Sequence, residues 1–268
     1  GKVSTAVPLA QCVATRRSFL KDQKIDLVHL NNSPFIGFDD WLPACSLVGI
    51  PCVAYIMGDN RAEPNPIRRF AIQRYDAYFP LSLICKQAFL DNGIDEDRMV
   101  LAYPGVDIAE ADARTFRPAD EVRREFDVAP GQLLAVMVGN IRRWKGQNVV
   151  VEALGGLDAD DRARLKVLMV GQGGPEHAVY EKELADAIEA HGLGDMVHFT
   201  GRREDVPDLL EAADLAIHAS VTPEPFGLVV QEAMLHGCAT IAANEGGPVE
   251  MMTPESGLMF DTDHPEEL

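Results

Sequence analysis

Residues 220–232 read Ser-Val-Thr-Pro-Glu-Pro-Phe-Gly-Leu-Val-Val-Gln-Glu and bracket a tight turn with two carboxylates, Glu224 and Glu232. Pro225 cannot lie inside a helix, and Gly227 lets backbone approach a ligand closely, so the chain turns at Phe226 and Gly227 before a helix opens at Leu228. Leu228, Val229, Val230, Ala233, Met234 and Leu235 supply the apolar surface that buries this helix. Its free N–H groups and the positive end of its dipole form a seat for a diphosphate. Glu224 lies in the loop beside that seat. Glu232 is about five residues up the helix, roughly 7–8 Å further along at ~1.5 Å per residue. Two acceptors flanking a phosphate seat suit a ligand with hydroxyl-bearing rings at both ends, and a nucleotide sugar is such a ligand.

Strands must carry these groups to one place. The run Leu-Leu-Ala-Val-Met-Val-Gly at 133–139 has the pattern of a buried parallel strand ending in Gly139, and the apolar segment 149–154 reads as a helix. The loop between them, Asn-Ile-Arg-Arg-Trp-Lys-Gly at 140–146, carries Arg142, Arg143 and Lys145. Cations there sit at the C-terminal edge of the sheet, where open α/β folds bind ligands. Further strands are expected at 165–170, 196–201, 213–220 and 238–243, the third carrying His218, which reads as a hydrogen-bonded structural group. In the first half, 25–30, 51–56 and 77–82 read as buried strands. The glycines at 171, 173 and 174 lack the third glycine of a dinucleotide fingerprint, which argues against an NAD-linked oxidoreductase.

The Glu224–Glu232 segment resembles the E-x7-E signature of retaining, GT-B-fold glycosyltransferases of family 4. The resemblance implies that Glu224 sits at the donor sugar, as the catalytic carboxylate, and Glu232 at the nucleotide ribose. Lys145 and Gly146 match the family's G-R-x-x-x-x-K-G diphosphate loop after Gly139, while Asn140 stands where the family usually has Arg, so Arg142 or Arg143 is expected to supply the second charge. Gly246 and Gly247 match a Gly-Gly turn facing the diphosphate, and Gly201 with Arg202 match a turn that packs on the nucleotide base. Pro104-Gly105-Val106-Asp107 resembles the end of the acceptor domain. Met57, followed by Gly58 and Asp59, stands where many relatives carry a His near the reacting sugar. The implied activity is metal-independent transfer from a UDP- or GDP-linked sugar to a hydroxyl acceptor, with retention and with no cofactor. The alternative is a catalytically weak or inactive nucleotide-sugar-binding module of the same fold. An epimerase on this fold should show a His–Glu pair in its cleft, and the sequence presents none.

Composition agrees. With 268 residues and 47% hydrophobic content the chain can form two packed α/β domains, parallel sheets flanked by helices. The expected fold is two Rossmann-like domains, an incomplete acceptor-side one over 1–115 and a donor-binding one over 116–268, with 108–131 as linker. Relatives of this kind are longer at both ends, so the chain reads as a fragment. Net charge is −18, and residues 116–268 hold 12 basic against 28 acidic side chains, which disfavours nucleic acid as a partner. Phosphate binding must therefore rely on local cations and helix termini. The five cysteines are scattered, the pattern of reduced thiols rather than a metal cluster. No apolar run of 18 residues and no signal peptide is visible, so a cytoplasmic protein is expected, with at most peripheral contact at the inner face of the membrane. The base rate of the family points to polysaccharide or glycolipid biosynthesis.

Overall fold

A computed structural model describes residues 9–31, 40–56 and 65–268, so Met57, Gly58 and Asp59 lie outside the described residues. The chain divides into two compact units, 1–104 and 105–268. The first contains α1 (Leu9–Asp22), β1 (Val28–Asn31), α2 (Trp41–Val48), β2 (Cys52–Ile56), α3 (Pro66–Ile72), β3 (Ala77–Pro80) and α4 (Leu83–Asp91). Its strands form a parallel sheet in the order β1-β2-β3, with Val28 opposite Cys52 and Val53 opposite Ala77. Parallel pairing requires crossover helices, and α2 and α3 supply them. The core gathers Leu20, Cys45, Ala54, Ile72, Tyr75, Tyr78 and Phe89. The Tyr78 hydroxyl is satisfied by donating to the Ile72 carbonyl, and burial pushes its pKa up to about 12.

The second unit contains α5 (Ile108–Ala113), α6 (Ala119–Glu125), β4 (Leu133–Val138), α7 (Gln147–Gly156), α8 (Ala159–Ala163), β5 (Leu165–Val170), α9 (Ala178–Ala190), β6 (Val197–Gly201), α10 (Val206–Ala212), β7 (Leu215–His218), α11 (Leu228–Leu235), β8 (Ala239–Ala243), α12 (Pro248–Met251) and β9 (Gly257–Phe260). Six strands pair in parallel in the order β6-β5-β4-β7-β8-β9. Alternation explains why β4 and β5 are apolar throughout: Ala135, Met137, Val167 and Met169 pack with α7 and α9, while Leu134, Val136, Leu168 and Val170 pack with α6 and α10. From β4 the chain winds outward to β6, then returns to place β7 on the other side of β4. The C-terminal ends of β4 and β7 thus flank the point where strand order reverses, the standard ligand crevice of open α/β sheets.

The division falls at 104/105 rather than at 115/116, and 108–131 is not a free linker. Asp208 on α10 explains this, accepting from the Arg117 backbone N–H at 3.3 Å and lying 3.9 Å from the Arg114 guanidinium. Arg117 also reaches Asp205 at 3.1 Å, so residues 108–117 are tied to α10. Among the described residues no helix is long and apolar enough to cross a membrane.

The two loops at the switch point touch through glycine. Gly146 caps α7 with φ +74°, and a Cβ there would lie 1.8 Å from the Ala219 carbonyl oxygen. Gly146→Ala should therefore cost about 3 kcal/mol or more, from left-handed strain plus the forced separation of the loops. Gly156→Ala, with open space around its Cβ, should be near neutral. Urea denaturation of both variants checks this; equal midpoints would show that the close approach is unimportant.

Candidate functional site

Glu224 follows β7 by six residues, in the loop that the Thr-Pro-Glu-Pro-Phe-Gly sequence bends ahead of α11. It is buried, and its Oε1 accepts from three side chains: Lys145 Nζ, Ser220 Oγ and His218 Nε2, the last at 3.0 Å. Lys145 comes from the loop after β4, so the pair spans the switch point. Burial alone would raise the carboxyl pKa. The hydrogen bond and charge of His218, with those of Lys145, more than offset it and hold the group at about 2. A stable carboxylate beside an ammonium can orient a sugar hydroxyl and face a phosphate at once.

The glycines shape this place. Lys145 lies along Gly139, where a Cβ would stand 3.5 Å from its Cδ. Gly246 and Gly247 buttress the carboxylate loop: Cβ atoms on them would fall 2.6 Å from the Glu224 backbone and 2.2 Å from Phe226 Cα. The Gly247 N–H donates to the Glu224 carbonyl at 2.9 Å. The Gly247 amide is thus committed within the protein. Phe226 is buried under the turn, Gly227 caps α11 against Pro248, and Leu228 is exposed at the helix start.

Glu232 lies five residues into α11, on the wall of a different hollow. A cavity of about 420 Å³ is lined by Val106, Asp107, Arg114, Val138, Leu210, Glu232 and His236, among others. The Glu232 carboxyl pKa is raised, first by desolvation against the cavity wall, with His236 acting the other way. His236 is itself held by Glu211 at 3.2 Å and packs edge-on to Phe116 at 5.2 Å. Val138 immediately precedes Gly139, so this cavity adjoins the loop that delivers Lys145.

Not every expected residue converges. Arg143 pairs with Glu183 on α9 and lies 4.8 Å over the Tyr180 ring, away from Glu224. Arg142 is half-buried, its carbonyl accepting from the Lys145 N–H. Gly201 ends β6 and its carbonyl accepts from Gly171 N–H at 3.0 Å; Arg202 is exposed, whereas Arg203 is anchored by Asp205 and Glu125. The structure also shows a His–Glu pair that the sequence did not present, His218 with Glu224. His218 and Ser220 are two residues apart at a strand end, and that spacing, which puts side chains on one side, is the only sequence signal for their contact.

A family model described as Glycosyl transferases group 1 matches residues 118–268. The chain is 32% identical over 175 residues to a D-inositol 3-phosphate glycosyltransferase of Corynebacterium efficiens, covering 64% of this chain and 41% of that protein. It is 28% identical over 158 residues to the lipopolysaccharide core biosynthesis mannosyltransferase LpsB of Rhizobium meliloti, covering 57% and 44%. The chain thus spans less than half the length of these curated relatives. A crystal structure of Anabaena HepE in complex with UDP is similar with a TM-score of 0.81 and 25% identity, covering 97% of this chain and 69% of that one. A glycosyltransferase from Rickettsia africae shares the fold, with a TM-score of 0.85 at 22% identity, covering 99% and 71%.

The Glu224 shift has a definite sign. Its folded pKa lies below the ordinary 4.5, so its stabilisation is present above that value and is lost as pH falls toward about 2. Lys145→Met should lower unfolding free energy at pH 7 by about 3 kcal/mol, the lower end of the cost of stranding a buried charge. The gap to the parent should narrow as pH falls from 5 to 2. Urea denaturation across this range checks it; a gap independent of pH would remove Glu224 as the group responsible.

Proposed function

The chain belongs to the glycosyl transferases group 1 family, and on that premise we propose that it moves a sugar from a UDP- or GDP-linked donor to a hydroxyl acceptor, with retention of anomeric configuration and without a metal ion. The observation that carries this reading is the Lys145–Glu224 pair across the switch point. Lys145 meets the charge that grows on the departing diphosphate, assisted by the free N–H groups at the start of α11. Charge placed in advance where it develops in the transition state is often the largest catalytic contribution. Glu224, kept ionised, orients the donor sugar and faces the positive charge that develops at its anomeric carbon. Attack by the acceptor hydroxyl from the face that the diphosphate leaves, with its proton passing to the departing phosphate oxygen, gives retention without a covalent intermediate.

The nucleoside half of the donor occupies the cavity beside Glu232. A ribose presents two hydroxyl donors to that carboxylate, and the apolar side chains Val138, Leu210 and Val106 give the base a surface to cover. The similarity to a structure holding UDP supports a nucleotide in this unit. The name of one curated relative, a lipopolysaccharide core mannosyltransferase, supports an acceptor of the glycolipid class, while that of another points to a phosphorylated inositol. Either is met by a cytoplasmic protein with at most peripheral contact at the membrane.

One observation favours a second reading. The His218–Glu224 pair is the arrangement expected of an epimerase. Product analysis separates the two, because transfer frees the nucleoside diphosphate while epimerisation returns the nucleotide sugar isomerised.

Thermal unfolding with UDP, GDP and ADP in turn tests the donor site. A nucleotide at ~100 times its dissociation constant should add about 2.7 kcal/mol to the free energy of unfolding. Glu232→Ala should weaken that nucleotide by roughly 1.5–3 kcal/mol, the range for hydrogen bonds to a charged group. Undiminished affinity in the variant would remove Glu232 from the site, and no shift with any nucleotide would count against the proposal.

A further inference from the structure

We propose that His218 is a positioning residue for Glu224: it locks one carboxylate oxygen in place and leaves the other to meet the donor sugar. This rests on the glycosyl-transfer reading for what the free oxygen does, but the locking itself is a property of the unliganded chain. His218 ends β7, a strand between β4 and β8, and its backbone is paired with Ala242 of β8. Its side chain is 4% exposed and cannot be reoriented by solvent.

The three donors on Glu224 converge on a single atom. Lys145 Nζ, His218 Nε2 and Ser220 Oγ all address Oε1, and Oε2 accepts no hydrogen bond among the described residues. A tenth of the Glu224 side chain still reaches solvent, leaving the group open to a ligand. Among the described residues, the charged or titratable side chains bonded to this carboxylate are Lys145, from the loop after β4, and His218; the loop after β8 meets the Glu224 loop through Gly246 and Gly247.

The tautomer follows from the same contacts. Glu224 is an acceptor, so His218 Nε2 carries the hydrogen. Nδ1 is buried with no hydrogen-bond partner among the described residues, and a hydrogen there would be an unsatisfied donor. The neutral imidazole therefore takes the Nε2–H tautomer and leaves Nδ1 bare.

His218 is needed because Lys145 has two claims on it. When a diphosphate arrives, the ammonium is drawn toward it, and Glu224 loses its strongest partner at the moment it must hold still. His218 and Ser220 touch no phosphate in this scheme and keep Oε1 anchored. Lys145 thus serves charge and His218 serves geometry.

Nitrogen NMR of the wild-type chain with labelled histidine reads the tautomer without any variant. In its neutral form His218 should carry Nε2–H with an unprotonated Nδ1, and an Nδ1–H tautomer would overturn the proposal. Carboxyl-labelled Glu224 should titrate at higher pH in His218→Leu, return toward the wild-type value in His218→Gln, whose amide can donate from a similar place, and rise by less in Ser220→Ala. If His218→Leu does not fold, His218→Ala carries this arm, with the same rise expected. An unchanged Glu224 titration in whichever of these two variants folds would overturn the proposal.

Calorimetry with UDP and UDP-glucose supplies the ligand arm. His218→Leu should keep UDP affinity within about twofold and lose about tenfold for the sugar-bearing donor, one hydrogen bond's worth at the sugar end alone. Equal loss for both ligands, or none for UDP-glucose, would overturn it. A wild-type chain that binds neither ligand would defeat the glycosyl-transfer reading instead, and the NMR arm would then decide the positioning role alone.

Discussion

A carboxylate taken out of water must find cations and hydrogen-bond donors or give up its charge. Glu224 finds three donors on one oxygen, and each comes from a place that the fold had to prepare. Lys145 must arrive from the far side of the switch point. His218 and Ser220 must lie on one side of a strand end. The loop carrying Glu224 must turn sharply enough to bring its side chain back onto them. Much of the second unit's architecture serves these requirements.

Glycine makes the convergence possible by removing side chains where backbones meet. Gly146 rests on Ala219, which brings the Lys145 loop against the end of β7, and Gly246 and Gly247 support the Glu224 loop from the other flank. Pro225 prevents the helix from starting early, and Gly227 lets it start at Leu228. Beneath them β4, β5, β7 and β8 form a close-packed floor of small and branched side chains. The rigidity of that floor is what allows short polar contacts above it to be specific.

What the sequence made legible was local. The Pro-Glu-Pro-Phe-Gly turn, the apolar helix after it and the strand–Lys loop–helix unit are each written in consecutive residues with strong backbone preferences, and each stands where expected. Helix α5 was harder to place, because its attachment depends on Arg114 and Arg117 meeting Asp205 and Asp208 some ninety positions away. Arg143 looked equivalent to Arg142 and Lys145 until Glu183 and Tyr180, on another helix, drew it aside. The Gly247 amide looked available because nothing near it in sequence announces its bond to the Glu224 carbonyl. The His218–Glu224 pair was hidden for the opposite reason: the residues are close in sequence, but only the bend between them turns the side chains together.

The central claim is that the nucleotide sugar lies across the switch point, with its phosphates at Lys145 and its sugar at Glu224. The position of the diphosphate in a crystal structure of the chain with a bound nucleotide sugar tests it most directly. The account predicts phosphate oxygens within hydrogen-bonding distance of Lys145 Nζ, the ribose at Glu232, and a sugar hydroxyl on Glu224 Oε2 while His218 still holds Oε1. A nucleotide bound elsewhere, with Lys145 making no phosphate contact, would contradict it.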